Sequence, residues 1–333
     1  MASGPFAGRR ALVTGAGGFI GSHLVERLLA GGAHVTAFLR YTSRGQLGCL
    51  TFLPPEMGAE VENVWGDIRD PDVVRELVQR ADVVFHLAAL IGIPYSYERP
   101  QEVIDTNIIG TANVLLAARD GGETRRIVLT STSEVYGSAR YTPMDEEHPL
   151  QPQSPYAATK VAADALGISF HRSFGLPVTI VRPFNTFGPR QSARAVIPTI
   201  IAQALAESPL QLGAVDTSRD FTFVADTVEG FISVASADDA VGEVVNLGSG
   251  VAVQIGEVVR QVGAIVGREL EVEVDPQRVR PKDSEVRQLL ADAGKAKRLA
   301  GWQPGTPFED GLRQTVDWMR GHLDLYRPQE YAR

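Results

Sequence analysis

The chain has 333 residues, which is enough for one large α/β domain or two smaller ones, because domains commonly contain about 100–200 residues. It is 44% hydrophobic and 22% charged, with 33 glycines and 20 prolines, and this composition excludes collagenous, disordered and coiled-coil proteins. Acidic residues number 40 against 32 lysines and arginines, so the net charge is −8. We therefore expect neither nucleic acid nor an anionic membrane as a partner.

Cysteine usage and hydropathy point to the cytoplasm. The single cysteine, Cys49, cannot form a disulfide within the chain. The N-terminal residues lack the apolar stretch of a secretion signal. The longest weakly polar run, residues 83–93, is interrupted by His86 and is shorter than the ~20 residues that span a bilayer.

In the first half of the chain, short runs of Val, Ile and Leu alternate with longer helical patterns, which predicts βαβ units. The predicted strands are Arg10–Thr14, Ala33–Leu39, Ala59–Trp65, Asp82–His86, Arg126–Thr130 and Val178–Arg182. The predicted helices are Phe19–Ala30, Pro71–Gln79, Val103–Ala118 and Tyr156–Ser173. Each helix is long enough to cross back over a sheet. The predicted fold class is α/β with a doubly wound parallel sheet.

The pattern changes after about Pro183, where prolines, glycines and arginines precede shorter strands and helices. We interpret residues 1–183 as a first domain and 184–333 as a smaller α/β domain. Residues 221–250 are expected to return to the first domain through two segments, Phe221–Ala235 and Glu243–Leu247. The cleft between the domains is the expected ligand site.

The first predicted strand leads directly into TGAGGFIG, where Gly15, Gly18 and Gly21 have GxxGxxG spacing. Glycines permit the tight turn, the close approach of the backbone to a pyrophosphate and the packing of helix on strand. The following helix begins at Phe19 and Ile20, and its free N–H groups would face the anion. A strand before the loop and a helix after it predict a dinucleotide site.

The residues after the second and third strands would select the dinucleotide. An acidic residue after the second strand binds the ribose 2′-hydroxyl of NAD, whereas an arginine accommodates the 2′-phosphate of NADP. Arg40 stands there, with Ser43 and Arg44 behind it, so NADP is favoured over NAD; a solvated basic loop is the alternative. Asp67, with Ile68 beside it, is placed to reach the adenine.

Tyr156 and Lys160 are four residues apart at the start of a predicted helix, so their side chains share a face. A phenol is a poor base at its reference pKa of about 10, and a neighbouring lysine and a cationic nicotinamide would lower that pKa. By itself the pair could also be exposed on a solvated helix. We expect no metal site, because the 6 histidines form no HExxH motif and have no cysteine partner.

Together with Thr132 after the fifth strand, these motifs resemble the extended short-chain dehydrogenase/reductase family, in its branch of nucleotide-sugar epimerases and dehydratases. The resemblance covers nearly the whole chain and includes LAA at 87–89, RPFNTFGPRQ at 182–191, RDFTFVADTV at 219–228 and NLGSG at 246–250. It implies a Rossmann domain with a tightly bound, recycled nicotinamide cofactor, and a smaller domain for a nucleotide sugar. The residues LAA, which are Leu87, Ala88 and Ala89, would lie against the cofactor.

Within that branch, the pair Ser133-Glu134 is similar to the acidic element of 4,6-dehydratases, whereas epimerases usually carry a small residue there. The resemblance implies that Glu134 removes the C5 hydrogen after oxidation at C4. Tyr156 would take the C4 hydroxyl proton, Thr132 would hydrogen-bond the C4 oxygen and Lys160 would hold the ribose. Ser133 or a water would assist departure of the C6 hydroxyl.

The stretches IPYSY at 93–97, SEVYG at 133–137 and QSARAVIPTII at 191–201 resemble 4,6-dehydratases of the legionaminic acid type. The stretch at 280–292 is similar to the tail of GDP-mannose dehydratases. These likenesses imply UDP- or GDP-N-acetylglucosamine as substrate. The resemblance assigns the diphosphate to Asn185, Arg194, Arg219 and Arg280, and Tyr95 and Ser96 are candidates for contact with the hexose.

Other functions on the same scaffold stay open. A C4-epimerase, a UDP-glucuronate decarboxylase and a 5,6-dehydratase are the enzymatic alternatives. The SEVYG element is also similar to the SEVYG or CEVYG element of the last two enzyme classes. A catalytically silent NADP-sensing protein is the alternative from another class, but the intact Thr132, Tyr156 and Lys160 argue against it. The helices Val103–Ala118 and Tyr156–Ser173 resemble those of the family's dimer interface, so we expect a homodimer.

Overall fold

A computed structural model describes residues 3–121, 124–278 and 288–328. Their strands are β1 (Arg10–Thr14), β2 (His34–Arg40), β3 (Glu62–Gly66), β4 (Val83–His86), β5 (Arg126–Thr130), β6 (Val178–Pro183), β7 (Asn185–Phe187), β8 (Leu210–Leu212), β9 (Ser218–Phe223), β10 (Val244–Leu247), β11 (Ala252–Gln254) and β12 (Val272–Val274). Their α-helices are α1 (Phe19–Ala30), α2 (Pro55–Ala59), α3 (Pro71–Gln79), α4 (Ile93–Glu98), α5 (Pro100–Ile104), α6 (Gly110–Gly121), α7 (Pro155–Phe174), α8 (Val196–Leu205), α9 (Val224–Ser236), α10 (Ile255–Val266), α11 (Gly294–Ala300) and α12 (Phe308–Arg320).

The central sheet has seven strands in the order β10-β6-β5-β4-β1-β2-β3. All its neighbouring strands run parallel. Side chains that alternate along one strand enter opposite hydrophobic clusters: Val13 and Phe85 pack on one face of the sheet, and Leu12 and Val84 on the other. Both faces are therefore covered, which is the requirement for an all-parallel sheet and confirms the predicted doubly wound α/β fold.

Local sequence signals explain where the main helices begin and end. Asp70 caps α3 by accepting a 3.0 Å hydrogen bond from the backbone N–H of Asp72. Ser154 caps α7 in the same way, with 3.1 Å between its Oγ and the backbone nitrogen of Ala157. Helix α7 ends at Gly175, whose φ of 68° lies in the left-handed region that glycine adopts without strain.

Two sequence-based predictions in this half were wrong. The predicted strand Ala59–Trp65 starts only at Glu62, because Pro54 and Pro55 begin the short helix α2 before it. The predicted helix Val103–Ala118 is interrupted by a π-helical turn, Asp105–Ile109, between α5 and α6.

The second half of the chain builds a small sheet in the order β11-β9-β7 and a separate pair, β12-β8. It also returns to the central sheet, where β10 pairs in parallel with β6. Of the predicted returning segments, Phe221 to Phe223 lie in β9 of the small sheet instead. A division of the chain at residue 183 stays a prediction. None of the helices in the described ranges is long and apolar enough to span a bilayer.

Candidate active site

The predicted site residues follow the carboxyl ends of adjacent parallel strands. Gly15 follows β1, Arg40 ends β2, Asp67 follows β3, Leu87 follows β4 and Thr132 follows β5 by two residues. The carboxyl ends of parallel strands meet at one edge of the sheet, and the strand order reverses between β1 and β4. This reversal opens the crevice in which α/β sheets bind ligands.

Two glycines, one in the loop between β1 and α1 and one in the first turn of α1, leave no room for a side chain. A Cβ on Gly15 would lie 2.8 Å from the Ala88 nitrogen, and one on Gly21 would lie 2.3 Å from the Gly15 oxygen. The φ of Gly15 is +72°. Gly18 precedes α1 in an extended conformation, and no side chain caps the helix. The loop and the uncapped first turn, with Phe19 and Ile20, therefore fit the pyrophosphate of a dinucleotide.

The residues predicted to select the dinucleotide lie at the ends of β2 and β3. Arg40, Ser43 and Arg44 are exposed, and Ile68 is buried. Asp67 pairs with Arg69, whose hydrogen bonds hold the pKa of that carboxyl below its usual range. Leu87, Ala88 and Ala89 are partly buried behind β4.

A chain of polar contacts joins Arg40 to α4. The Arg40 Nη2 lies 3.7 Å from Glu102 Oε1. The Tyr95 hydroxyl donates a 2.5 Å hydrogen bond to Glu102 Oε2. Ser96, the other predicted hexose contact, is fully buried and its Oγ donates to the Ile93 carbonyl at 2.7 Å. This geometry leaves Tyr95 as the better candidate to face a sugar.

Tyr156 and Lys160 lie in the first turns of α7 with exposed fractions of 7% and 5%. Burial raises the pKa of Tyr156 above its ordinary value, the charge of Glu134 raises it further, and a hydrogen bond with Thr132 lowers it. Burial also lowers the pKa of Lys160 to about 8. We expected Lys160 to bring the phenol pKa down, but Lys160 is not among the groups that shift the pKa of Tyr156, and burial has the largest effect.

Thr132 and Glu134 belong to a short 3-10 segment that follows β5. Thr132 precedes the 3-10 helix Ser133–Tyr136, and its Oγ1 accepts a 3.2 Å hydrogen bond from the Glu134 backbone nitrogen. Ser133 is buried, whereas Glu134 is half-buried. The segment thus brings a hydroxyl and a carboxylate to the phenol of Tyr156, since both affect its pKa.

The candidates for the diphosphate differ in their surroundings. Asn185 begins β7, and its buried Oδ1 has no hydrogen-bond partner among the residues that the structure describes. Arg219, on β9, is 7% exposed and donates to the Ser218 carbonyl at 3.0 Å. Arg194 is exposed, and Arg280 lies outside the described residues. Within the described ranges, no group of three or more His, Cys, Asp or Glu side chains could hold a metal ion.

Sequence reasoning did not single out Asn107, which lies in the π-helical turn beside the site. Its Oδ1 accepts from the Leu90 nitrogen at 2.8 Å, and its Nδ2 donates to the Thr159 Oγ1 at 2.9 Å. Asn107 therefore ties the loop after β4 to α7. In the sequence, Asn107 is simply a polar residue within a predicted helix. Its burial is visible only in the structure.

The family model described as GDP-mannose 4,6 dehydratase matches residues 12–315. The chain belongs to that family. A dTDP-glucose 4,6-dehydratase of Xanthomonas campestris is 36% identical over 92% of each chain. A UDP-glucose 4-epimerase of Mycolicibacterium smegmatis is 34% identical over 93% of this chain and 98% of its own. A UDP-N-acetyl-alpha-D-glucosaminuronate decarboxylase of Bacillus cytotoxicus is 34% identical over 94% and 98%.

Solved structures of related enzymes share the fold. The dTDP-glucose 4,6-dehydratase of Streptomyces venezuelae with NAD bound has a TM-score of 0.84 and 31% identity, over 96% of this chain and 100% of that one. The UDP-glucuronic acid 4-epimerase of Bacillus cereus, in complex with UDP-glucuronic acid and NAD, has a TM-score of 0.86 and 29% identity, over 94% and 99%. The chain is thus an enzyme of the Rossmann-fold nucleotide-sugar dehydratase, epimerase and decarboxylase group. Its glycine-rich β1–α1 loop is consistent with a nicotinamide dinucleotide such as the NAD bound in these neighbours.

Proposed function

We propose that this protein is a nucleotide-sugar 4,6-dehydratase, which converts a nucleoside-diphosphate hexose to its 4-keto-6-deoxy product. The observation that carries the proposal is the carboxylate of Glu134 on the same short segment as Thr132, close enough to Tyr156 to raise its pKa. Epimerisation at C4 needs only oxidation and reduction at that carbon. Removal of a hydrogen from C5 needs a base, and Glu134 supplies one.

The protein's own residues would divide the proton transfers between them. Tyr156 takes the proton of the C4 hydroxyl, and Thr132 hydrogen-bonds the C4 oxygen. Lys160, with a pKa of about 8, is mostly protonated at neutral pH and holds the nicotinamide ribose. A bound nicotinamide would, in its oxidised form, supply the hydride acceptor for C4 and a positive charge that favours the phenolate, and in its reduced form the hydride donor for C6.

Water loss follows from the C4 ketone. The ketone acidifies the C5 hydrogen, and Glu134 removes it as a proton. That proton is relayed to the C6 hydroxyl through Ser133 or a second water, and the hydroxyl leaves as water. C5 regains a proton when C6 is reduced, so the product is the substrate less one water. Because no net oxidation occurs, the reaction needs no external reductant and a bound cofactor would be recycled.

We favour NADP as that cofactor. The proposal is supported by Arg40 at the end of β2, where NAD-specific sites carry an acid. Gly15, Gly18 and Gly21 would hold the pyrophosphate, and Asp67 the adenine end. Tighter binding of NAD than of NADP to the purified protein, measured by calorimetry, would contradict this preference.

The substrate we propose is UDP- or GDP-N-acetylglucosamine, on the likeness of IPYSY, SEVYG and QSARAVIPTII to dehydratases of such substrates. The unpaired Oδ1 of Asn185 supports a hydrogen bond from the substrate, and the buried guanidinium of Arg219 supports a contact with the diphosphate. Roles for Tyr95, Arg194 and Arg280 remain predictions. The single cysteine supports a reducing compartment such as the cytoplasm.

The test is incubation with separate UDP-, GDP- and dTDP-hexoses in deuterium oxide, followed by mass spectrometry and proton NMR. We expect the product to have lost one water and to have gained one deuterium at C5. In the Glu134→Gln variant, water loss should fall by about 10²–10⁴-fold while oxidation at C4 persists. The control is Glu147→Gln, which changes an exposed carboxylate in the loop after the same segment. Unchanged dehydration in Glu134→Gln would contradict the role of that residue.

The same measurement separates the alternatives on this scaffold. Unchanged mass with inverted C4 would make the protein an epimerase, as the mycobacterial relative is named. Release of carbon dioxide from a hexuronate nucleotide would make it a decarboxylase, as the Bacillus relative is named. Tight NADP binding without any reaction would identify a sensing protein.

A further inference from the structure

We propose that Arg182 is a positioning residue that holds the proposed base segment, Thr132–Tyr136, at a fixed position relative to helix α7. The proposal rests on the function proposed above. It concerns a buried guanidinium that touches neither of the two reacting side chains, Glu134 and Tyr156, but contacts the elements that carry them. We call this arrangement the Arg182 clamp, formed by Arg182, Asp164 and Tyr136.

The guanidinium of Arg182 donates hydrogen bonds to two elements at once. Arg182 lies on β6, and its Nε donates a 3.0 Å hydrogen bond to Oδ2 of Asp164 on α7. Its Nη1 donates a 3.0 Å hydrogen bond to the hydroxyl of Tyr136 at the end of the 3-10 helix. Asp164 is one turn beyond Lys160 on α7, and Tyr136 is two residues beyond Glu134.

Burial makes this arrangement hard to replace. The side chains of Arg182 and Asp164 are each 3% exposed, and Tyr136 is fully buried. A buried charge without its partner is strongly disfavoured, so each of the two ions fixes the position of the other. The charge of Lys160 also acts on Asp164, which links the clamp to the proposed ribose contact.

The Tyr136 hydroxyl has partners on both sides. It accepts from Arg182 and donates a 2.7 Å hydrogen bond to Oδ1 of Asn246 on β10. The backbone nitrogen of Asn246 in turn donates to Oε1 of Glu146 at 2.7 Å. Because the phenol is used as donor and acceptor at once, Tyr136 can occupy this site in one orientation only.

The two segments differ in how much they depend on the clamp. Helix α7 has 20 residues and its own backbone hydrogen bonds, so Tyr156 and Lys160 are held without Arg182. The segment with Glu134 is a 3-10 helix of 4 residues, which is too short to fix itself. Loss of the clamp should therefore displace Glu134 more than Tyr156.

This difference has a chemical consequence. Tyr156 acts at the C4 oxygen and Glu134 at the hydrogen on the adjacent carbon, so the two side chains must keep one separation. A misplacement of about 1 Å can cost ~10²-fold in rate. Weakening the clamp should slow water elimination more than C4 oxidation, and the 4-keto hexose should accumulate together with reduced nicotinamide.

The test uses two variants. Tyr136→Phe keeps the ring and removes only the hydroxyl, and Arg182→Lys keeps the positive charge but loses the branched guanidinium that donates to two partners at once. The control is Tyr326→Phe, because Tyr326 is also buried and donates one hydrogen bond, to the Gln191 carbonyl, outside the site. Two quantities are measured: backbone amide exchange in residues 132–137 of the ligand-free protein, and single-turnover rates of nicotinamide reduction and of water loss.

In Tyr136→Phe we expect faster amide exchange in residues 132–137, water loss slowed by about tenfold or more, and C4 oxidation changed by less than about threefold. Arg182→Lys should act in the same direction, and the double variant should show less than the sum of the two effects, since both residues belong to one contact. Tyr326→Phe should change neither the exchange nor the ratio of the two rates.

Equal slowing of both steps, or an unchanged ratio with unchanged exchange, would overturn the clamp. If Arg182→Lys does not fold, the milder Tyr136→Phe decides by itself. A wild-type protein that loses no water from any hexose would overturn the proposed function instead, so the two failures are distinguished by the wild-type reaction.

Discussion

At the scale of single residues, burial has a larger effect than neighbouring charges on the pKa values of His86, Tyr156 and Lys160. His86 is 3% exposed, its ring nitrogens lie 2.8 Å and 3.1 Å from the hydroxyls of Thr14 and Thr111, and burial lowers its pKa to about 3. Burial likewise raises the pKa of Tyr156 and lowers that of Lys160. A neutral histidine in the core and an uncharged phenol are the result.

His23 provides a test of this effect on stability. Burial, with a contribution from the charge of Arg190, lowers its pKa to about 4, whereas an unfolded histidine titrates near 6.5. As the pH falls from about 6.5 to 4, the unfolded chain binds a proton that the folded protein does not, so stability is lost over that window.

We expect His23→Gln to reduce this loss, because glutamine does not titrate and can still donate to the Pro189 carbonyl, 3.0 Å from the histidine Nε2. On acidification, the free energy of unfolding of the wild type should fall by up to about 1.4 kcal/mol per pH unit more than that of the variant. Urea denaturation between pH 4 and 7 measures this difference, and a difference that does not vary with pH would contradict it.

At the scale of elements, the site depends on loops that leave the sheet at one edge and on the starts of α1 and α7. The β1–α1 loop approaches the loop after β4 so closely that Gly15 faces the backbone of Ala88. The π-helical turn plays a similar part, because Asn107 within it binds both the β4 loop and α7. π turns within helices are frequent at functional sites.

The glycine loop gives an element-scale prediction. In Gly21→Ala, the new Cβ would lie 2.3 Å from the Gly15 oxygen, so the start of α1 must shift. We expect a loss of about 1–3 kcal/mol in stability and weaker binding of both NAD and NADP. Thermal unfolding and calorimetric titration measure these effects.

Gly58→Ala is the matched control for this prediction. Gly58 lies in α2, and a Cβ there would meet nothing within 4 Å. The substitution should leave cofactor binding unchanged and raise stability by up to about 1 kcal/mol. Equal cofactor affinity in Gly21→Ala and Gly58→Ala would show that the loop does not hold the pyrophosphate.

At the scale of the whole molecule, exposed apolar side chains lie on the helices that we expected at a dimer interface. Ile109 in the π-helical turn is 47% exposed, Leu116 on α6 is 37% exposed and Phe174 at the end of α7 is 52% exposed. Helices α6 and α7 pack against each other, and exposed apolar surface on them would favour burial against a partner surface. Their presence supports the homodimer that we expect from the sequence.

Sedimentation velocity tests this assembly. We expect a dimer at micromolar concentration, and we expect Ile109→Glu combined with Leu116→Glu to give a folded monomer, because two buried charges would face each other across the interface. Val274→Glu is the control, since Val274 is 67% exposed on β12 in the second half. A monomeric wild-type protein would contradict the proposal.

Much of the central fold could be predicted from local patterns. Strands Arg10–Thr14 and Arg126–Thr130 and helices Phe19–Ala30 and Pro71–Gln79 have the predicted bounds. Their apolar runs, caps and glycines are signals within a few residues. The helix α2 was missed because five residues that begin with proline carry too little periodicity to predict a helix.

The sequence by itself determined the α/β fold, the family and the order of the motifs along the chain, because strand periodicity, glycine spacing and the pair Ser133-Glu134 are local. Only the tertiary structure decided which side chains meet: the π-helical turn at Asn107, the pKa values set by burial, and the contact of Arg182 with Asp164 and Tyr136. These depend on residues that are 18 and 46 positions apart in the chain and become neighbours only when the sheet and its helices pack.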